Sequence, residues 1–337
     1  MTVPTTTSEY TLGKIGDYRT LAIREAEIPP LKDGQVLIKV HAVSLQYRDL
    51  AIARGTYGIK RPDGLVPCSD ASGSIVALTP SASSLGWNLG DRVAANFCND
   101  HLYGDATPEV LGSGPGKRGQ ALVRIPEILT YEEACTLPCA GVTAYNALHG
   151  PVPVKAGDYV LILGTGGVSI FGLQFALASG ATVIVTSSSD DKLEAARKLG
   201  AHHVINYKTT ENWDEEVLKI TNGRGVDHII EVSGSTILQS IKSVRISGSI
   251  HLVGYVGEGA PPANLIWPII GKAVNVRGVL IGPVALFKEM LRLIVAIPEV
   301  AKPVVDRVFP WEEAAQAYEY LEAQKHVGKV VIRVAKD

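Results

Sequence analysis

The sequence predicts an α/β protein made of a small, β-rich, barrel-like domain and a doubly wound parallel sheet. Two patterns along the chain carry this prediction. Up to about residue 126, short β-prone runs alternate with clusters of Gly, Pro, Asn and Asp, as in small barrels. From Tyr159 onward, apolar strands alternate with helical patterns of about ten to fifteen residues, which is typical of repeated βαβ units.

The β-rich part is predicted to receive both ends of the chain. After Lys302 the sequence indicates a β-like run, a helix over Trp311–Gln324 and a final strand over Lys329–Val334. We therefore expect residues 1–127 and 299–337 to form one domain. Its earlier strands are predicted at Leu21–Ile23, Gln35–Val40, Gly73–Leu78, Asp91–Ala95 and Ala121–Ile125.

Residues 128–298 are predicted to form the parallel sheet and its helices. Several strands are almost continuously apolar, as expected for strands covered on both faces. Between two of them, Asp191–Leu199 has apolar residues at helical spacing and is followed by Gly200, a typical C-cap residue. The strands are predicted at Tyr159–Leu163, Thr182–Thr186, His203–Asn206, His228–Val232, Ser249–Val253 and Val274–Ile281.

The composition excludes several classes of protein. With 337 residues, 46% of them hydrophobic, the chain can bury a sizeable core, and a net charge of −2 provides no basic surface for nucleic acid. The first residues lack the pattern of a signal peptide, and no window approaches the roughly 20 apolar residues that span a bilayer. We expect a cytoplasmic protein with a small-molecule substrate, and no nucleic-acid or membrane partner. Its four cysteines are too few for a disulfide framework.

A glycine-rich turn is the sharpest local signal. Gly164, Gly166, Gly167 and Val168 directly follow a predicted strand and lead into a helix predicted over Ser169–Ser179. Such glycines allow a tight turn and let backbone amides approach a pyrophosphate at the positive end of a helix. The third glycine of this dinucleotide motif is replaced by Ser169. The alternative is a glycine-rich turn that binds no ligand.

The end of the second parallel strand favours NADPH over NADH. An acidic residue there would accept hydrogen bonds from the ribose hydroxyls of NAD, but Thr182–Thr186 is followed by Ser187, Ser188 and Ser189. Hydroxyl groups and the cation of Lys192 suit a 2′-phosphate better. The serines could also simply cap the helix that begins near Asp190, and the two roles are compatible.

These residues give the chain a resemblance, over nearly its whole length, to the medium-chain dehydrogenase/reductase superfamily and its zinc-free quinone oxidoreductase and enoyl reductase branches. The resemblance implies a GroES-like catalytic domain and a Rossmann dinucleotide-binding domain. The matching segments are Ser44–Leu50, Val66–Gly73, Gly90–Val93, Leu137–Tyr145, Gly164–Val168, Lys198–Ala201 and Gly328–Ile332.

The resemblance also assigns further residues to an NADPH site. Quinone oxidoreductases contact the 2′-phosphate at positions that look like Lys192 and Tyr207, and keep residues similar to Gly328 and Lys329 near the cofactor. The family further implies a homodimer joined through the last parallel strand, Val274–Ile281. By the same resemblance, the cofactor site is completed by Thr143, Gly254, Tyr255 and Leu280.

The resemblance allows the question of zinc to be addressed. Alcohol dehydrogenases of this superfamily hold a catalytic metal with Cys, a His-Glu pair, and Cys or Asp. In this chain Gln46 stands at the position that resembles the first metal ligand, and Ser69-Asp70 stands where the His-Glu pair would be. Only the last ligand position keeps a thiol, Cys139. The segment that resembles the structural zinc lobe offers Cys98 alone. Because a catalytic zinc needs three protein ligands, we predict no metal.

Without zinc, reduction of a conjugated carbonyl or a quinone is favoured, because the negative charge that develops is delocalised. The resemblance to enoyl reductases makes Tyr57 the first candidate for the proton donor, with Tyr47 as an alternative and Gln46 beside them. Two alternatives stay open. The first is another enzyme, a zinc-free carbonyl reductase or alcohol dehydrogenase. The second is a noncatalytic NADPH-binding protein, since fold alone does not determine function.

Overall fold

The computed structural model describes residues 3–13, 16–58, 64–113, 118–254, 262 and 264–335. The chain forms two compact units. Unit 1 contains Met1–Cys139, Pro283–Glu289 and Pro303–Asp337, and unit 2 contains Ala140–Gly282 and Met290–Lys302. The domain limits expected from the sequence, 1–127 with 299–337 and 128–298, stay a prediction.

Strands and helices alternate in the order that the sequence pattern predicts. The strands are β1 Thr6–Leu12, β2 Leu21–Glu27, β3 Val36–Ser44, β4 Asp70–Leu78, β5 Arg92–Ala95, β6 Leu122–Arg124, β7 Tyr159–Leu163, β8 Thr182–Ser187, β9 His203–Asn206, β10 Val226–Glu231, β11 Val244–Leu252, β12 Asn275–Gly278, β13 Val305–Pro310 and β14 Lys329–Arg333. The α-helices are α1 Tyr47–Ala53, α2 Pro80–Ser83, α3 Pro108–Gly112, α4 Tyr131–Ala134, α5 Val142–His149, α6 Gly167–Ala178, α7 Asp190–Lys198, α8 Trp213–Ile220, α9 Ile237–Ser243, α10 Ile266–Gly271, α11 Val284–Ala296, α12 Pro298–Ala301 and α13 Ala314–Glu322.

Unit 1 is built on a six-stranded sheet in the order β13-β14-β3-β4-β5-β6. All its neighbours are antiparallel except β13 and β14, so the C-terminal strand does pair with the N-terminal part of the chain, as expected. Strands β1 and β2 form a separate antiparallel hairpin. A core of buried side chains supports this sheet, and its largest members include Leu45, Leu50, Phe309, Tyr318 and Ile332.

Unit 2 contains a six-stranded parallel sheet in the order β12-β11-β10-β7-β8-β9. This order confirms the doubly wound sheet that the alternating pattern predicts. The predicted last strand, Val274–Ile281, is shorter than expected: β12 is Asn275–Gly278, and the last residue of the predicted strand, Ile281, has a positive φ that an extended strand does not have. Among the described residues, no helix is both long and apolar enough to cross a membrane.

The helix predicted over Trp311–Gln324 is divided. A 3₁₀ turn, Trp311–Glu313, precedes α13, and the chain leaves the helix before Gln324, whose φ is +50°. Tyr18 donates a hydrogen bond from its hydroxyl to Glu322 at 2.7 Å, at the C-terminal end of α13. The helix is therefore tied to the N-terminal hairpin region of the same unit.

Candidate functional site

The glycine-rich turn of unit 2 has the geometry that a phosphate-binding turn needs. Gly164 has a φ of +75° and donates its backbone N–H to Thr186 at 2.9 Å. Gly166 is the N-cap of α6, and a Cβ added to it would meet no atom within 4 Å. The N-terminal amides of α6, which begins at Gly167, have no partners within the helix. This open helix end fits the pyrophosphate of a dinucleotide.

Close packing between the turn's helix and the sheet depends on a residue that the sequence analysis missed. A Cβ at Gly172, inside α6, would lie 2.4 Å from Cδ1 of Ile230 and 3.2 Å from Cδ1 of Ile162. Ser169 instead donates its hydroxyl to the carbonyl of Leu163 at 2.7 Å. Gly172 therefore allows the close approach that the third glycine of the motif allows in other proteins. Its signal in the sequence is a glycine in the middle of an apolar helix.

Hydroxyl groups collect at the carboxyl end of β8. Ser187 pairs with Asn206 across β8 and β9, and its carbonyl accepts the backbone N–H of Tyr207 at 3.1 Å. Ser188 and Tyr207 thus follow neighbouring strand ends, and Lys192 lies in the first turn of α7. The amide of Asn206 donates to Asp190 at 2.8 Å.

The capping interpretation of these serines is not borne out by their contacts. Ser189 is the N-cap of α7, but its side chain makes no capping hydrogen bond. The backbone N–H of Ser189 donates to the hydroxyl of Ser187 at 3.4 Å. Ser189 therefore occupies the N-cap position of α7, but its hydroxyl does not cap the helix.

The remaining cofactor candidates of unit 2 differ in exposure. Thr143 is buried in α5, whereas Leu280 is 54% exposed. Gly254 follows β11, where a Cβ would lie 3.1 Å from the carbonyl oxygen of Val232. Tyr255 lies outside the described residues.

A buried carboxylate at the end of β10 was not singled out from the sequence. Glu231 accepts hydrogen bonds from the backbone N–H groups of Ser233 at 2.9 Å and Gly234 at 3.0 Å. The hydroxyls of Thr236 at 3.0 Å and Ser240 at 2.5 Å also donate to it. This carboxylate holds the turn after β10, at the same edge of the sheet as the glycine-rich turn. An acidic residue closing an apolar strand is the signal that could have found it.

Unit 1 contains a buried polar cluster that includes the positions resembling zinc ligands. The side-chain amide of Gln46 and the hydroxyl of Ser69, the latter at 2.8 Å, both donate to the carboxylate of Asp70. The guanidinium of Arg48 donates to Ser69 and, at 3.5 Å, to the sulfur of Cys139. Gln46 and Cys139 are therefore joined through one hydrogen-bonded network.

Lys329 belongs to the same cluster. Its side chain is buried, and its amine donates to the carbonyl of Leu45 at 2.5 Å. Burial lowers the pKa of Lys329, while Asp70 and Cys139 act in the opposite direction. The preceding residue, Gly328, has a φ of +80°. Of the residues predicted from the sequence, Gln46 therefore hydrogen-bonds Asp70, and Lys329 lies within range of the charge of the same carboxylate.

The charges of the cluster are balanced. Arg48 and Lys329 are close to two buried carboxylates, Asp49 and Asp70. Burial raises the pKa of Asp49 to about 6, against the opposing effect of Arg48. Burial, followed by the charge of Asp70, raises the pKa of Cys139 to about 11, so its thiol is neutral at pH 7. The cluster therefore needs no further cation for charge balance.

The side chains at these positions do not fit a catalytic zinc. Gln46 and Ser69 are not zinc ligands of the usual kinds, and the two oxygens of Asp70 already accept hydrogen bonds from them. The sulfur of Cys139 accepts a hydrogen bond from the guanidinium of Arg48, which places a cation beside the one remaining thiol. Within the described part of the chain, no group of three or more His, Cys, Asp and Glu side chains is placed to hold a metal.

The two candidate proton donors lie at opposite ends of α1. Tyr47 is its first residue and is 42% exposed, and Tyr57 follows the helix and is 37% exposed. Gln46 is the N-cap of this helix, and its backbone N–H donates to Asp49 at 2.7 Å. Helix α1 therefore connects both phenols to the polar cluster.

Comparison with known proteins gives two family matches. Residues 32–144 match the model described as the alcohol dehydrogenase GroES-like domain, and residues 167–296 match the model described as zinc-binding dehydrogenase. Together these matches cover parts of both units.

Related proteins extend over nearly the whole chain. A zinc-type alcohol dehydrogenase-like protein of Schizosaccharomyces pombe is 44% identical, with 95% of this chain and 97% of that protein covered. The quinone oxidoreductase of Sus scrofa is 29% identical, with 91% and 92% covered. A Sinorhizobium meliloti protein, solved as a candidate alcohol dehydrogenase, has a TM-score of 0.87 and 34% identity, with 99% of this chain and all of that chain covered.

Proposed function

Because this chain belongs to the medium-chain dehydrogenase/reductase superfamily, an oxidoreductase family, we propose that it transfers hydride from NADPH to a conjugated carbonyl or a quinone without zinc. The observation that carries this proposal is the polar cluster of unit 1. Its hydrogen-bonded Gln46, Ser69 and Asp70, with a guanidinium beside Cys139, stand where the family's metal ligands are expected. Reduction of a delocalised acceptor depends less on a metal than reduction of an isolated carbonyl.

The choice of NADPH rests on the adenosine end of unit 2. Ser187 and Ser188 end β8 without a carboxylate, Tyr207 follows the neighbouring strand, and Lys192 supplies a positive charge in the first turn of α7. A 2′-phosphate gains charge-assisted hydrogen bonds from such groups. The nearest acid, Asp190, is held by Asn206.

When bound, the reduced nicotinamide supplies the hydride. The chain's own residues then bind the acceptor and deliver a proton to the enolate or phenolate that forms. We assign the proton to the phenol of Tyr57, with Tyr47 as the alternative and Gln46 as a further polar contact. Gly164–Val168 bind the pyrophosphate in this proposal, and Thr143, Gly254, Leu280 and Gly328 complete the cofactor's surroundings.

Two other functions have support of their own. A zinc-free carbonyl reductase or alcohol dehydrogenase shares the activity, but not the zinc, that is named for the zinc-type alcohol dehydrogenase-like protein of S. pombe, and it shares the activity named for the S. meliloti relative. A noncatalytic NADPH-binding protein would use only the features of unit 2. Turnover with isolated carbonyls would favour the first, and tight NADPH binding without any turnover would favour the second.

We also propose a cytoplasmic homodimer that acts on a small molecule and binds neither nucleic acid nor membranes. Strand β12 lies at the edge of the parallel sheet, where a second copy of the strand could extend it. The molar mass in solution tests this, and the mass of a single chain would contradict it.

Calorimetric titration is expected to show that NADPH binds at least about tenfold more tightly than NADH, a difference of about 1.4 kcal/mol. Lys192→Ala should reduce this ratio, because it removes the cation assigned to the 2′-phosphate. Lys198→Ala is the matched control, since Lys198 lies in the same helix and pairs with Glu194 on the surface. Equal affinities for the two cofactors in the unmodified protein would contradict the assignment.

A further inference from the structure

The guanidinium of Arg48 occupies the centre of the polar cluster in unit 1. It approaches Ser69, Cys139 and Asp70, the last at 4.0 Å, and its side chain is only 13% exposed. Ser69 and Cys139 are 21 and 91 residues away in the chain. These three contacts come from the positions at which metal-containing relatives of this fold are expected to hold zinc.

The orientation of this guanidinium is well determined by its surroundings. Its carbon lies 4.5 Å from the centre of the Phe97 ring, which packs against its face. Among the described residues, the acceptors of its hydrogen bonds are the sulfur of Cys139 and the hydroxyl of Ser69. A guanidinium has five N–H donors, so donors remain for an additional acceptor.

The charge of the cluster suits a neutral acceptor that becomes negative. Asp70 balances Arg48, and Lys329 lies close to Asp49 and Asp70. An oxygen that gains charge beside Arg48 is stabilised by an oriented cation in a mostly buried setting, where electrostatic interactions are stronger than in water.

We propose that Arg48 takes the role of the missing metal and donates a hydrogen bond to the carbonyl or quinone oxygen of the substrate. This rests on the proposed function. As hydride adds to the electrophilic carbon, the π electrons of the acceptor move to this oxygen, and the resulting enolate or phenolate is held by Arg48. The dinucleotide is oxidised to NADP⁺, and the acceptor is reduced and then takes one proton from a tyrosine or from water.

Kinetics of three variants separate this role from a purely structural ion pair. Arg48→Met removes the cation, and the double variant Arg48→Met/Asp70→Asn removes both charges, so Asp70 is not left as a buried carboxylate without its cation. Arg54→Met is the control, because Arg54 caps the same helix but pairs with Glu322 near the surface. We expect turnover of a quinone or enone to fall about 10²-fold in both Arg48 variants and to be unchanged in Arg54→Met.

Thermal unfolding decides what a loss of turnover means. Arg48→Met is expected to lower Tm, and the double variant is expected to regain most of that loss while its turnover stays low. If the double variant regained turnover together with Tm, Arg48 would be a structural partner of Asp70 and the proposal would be overturned.

A binding experiment tests the same role without turnover. 4-Nitrophenol imitates the oxyanion product, and its ionisation is read from its absorbance in the presence of protein and NADP⁺. The unmodified protein is expected to lower the apparent pKa of bound 4-nitrophenol by about one unit, as an adjacent cation does. The shift should be absent in the double variant. An equal shift in both proteins would overturn the proposal, whereas a shift in a protein that reduces no quinone or enone would overturn only the proposed function.

Discussion

Replacement of Gly166 by valine is expected to weaken NADPH binding about 10³-fold, or about 4 kcal/mol, while the protein without cofactor stays folded. Gly166 has an extended backbone, with φ −75° and ψ −174°, which any residue can adopt. The added side chain meets no protein atom at its Cβ, so it extends into the space that the turn leaves open. A pyrophosphate bound at this helix end needs that space.

Titration of the Gly166→Val protein with NADPH, together with its thermal unfolding, checks this expectation. The N-cap substitution by itself should lower Tm by no more than a few degrees. Gly271→Val is a matched control, because a Cβ at Gly271 also meets nothing within 4 Å but the residue ends α10, away from the turn. NADPH affinity that is unchanged by Gly166→Val would show that the cofactor's phosphates bind elsewhere.

Gly328→Ala, unlike Gly166→Val, is expected to act on folding, and to lower the free energy of unfolding by at least about 3 kcal/mol. Two effects add at this position. Its φ of +80° is unfavourable for alanine, and the new Cβ would lie 2.4 Å from the backbone oxygen of Val304. That oxygen accepts the N–H of Lys329 at 3.0 Å, so relief of the overlap would disturb the first hydrogen bond of β14.

Gly157→Ala separates the two effects in a urea unfolding experiment. Gly157 has a similar φ of +86°, but a Cβ there meets no atom within 4 Å. It should therefore cost only the roughly 1 kcal/mol of the unfavourable backbone conformation. If Gly328→Ala and Gly157→Ala lowered the free energy of unfolding equally, Val304 would move away easily and only the φ of Gly328 would matter.

The parallel sheet could be predicted from the sequence because its strands are buried on both faces. Residues Val160–Leu163 of β7, for example, are all buried, and such strands leave continuous apolar runs. Strand β1 could not be predicted, since the first residues of Thr6–Leu12 are exposed and polar. Its pairing with β2 depends on backbone hydrogen bonds that leave no apolar alternation in the sequence.

The candidate site could be predicted where function requires a local motif. Gly164–Val168 lie within one turn, so their spacing alone indicated the strand-turn-helix that the structure contains. The role of Arg48 could not be predicted in this way, because its contacts come from distant segments of unit 1. Glu231 was missed for a related reason, since its partners follow it in a turn whose conformation the residue types do not determine.

The proton donor can be assigned in the same assay that measures turnover. Tyr57→Phe is expected to keep NADPH affinity and to lower enone turnover roughly 10²-fold, as is typical for loss of a general acid. A large loss in Tyr47→Phe instead would move the role to Tyr47. No loss in either variant would leave water as the proton source.

Metal-free turnover is the measurement that tests the central claim most directly. Protein that has been exhaustively chelated, with its zinc content determined by elemental analysis, is mixed with NADPH and a panel of quinones, conjugated enones, aldehydes and ketones. We expect NADPH oxidation with at least one quinone or enone at the rate seen before chelation, and no stoichiometric zinc in the purified protein. One zinc per chain with activity lost on its removal, or no NADPH oxidation with any acceptor, would contradict the account.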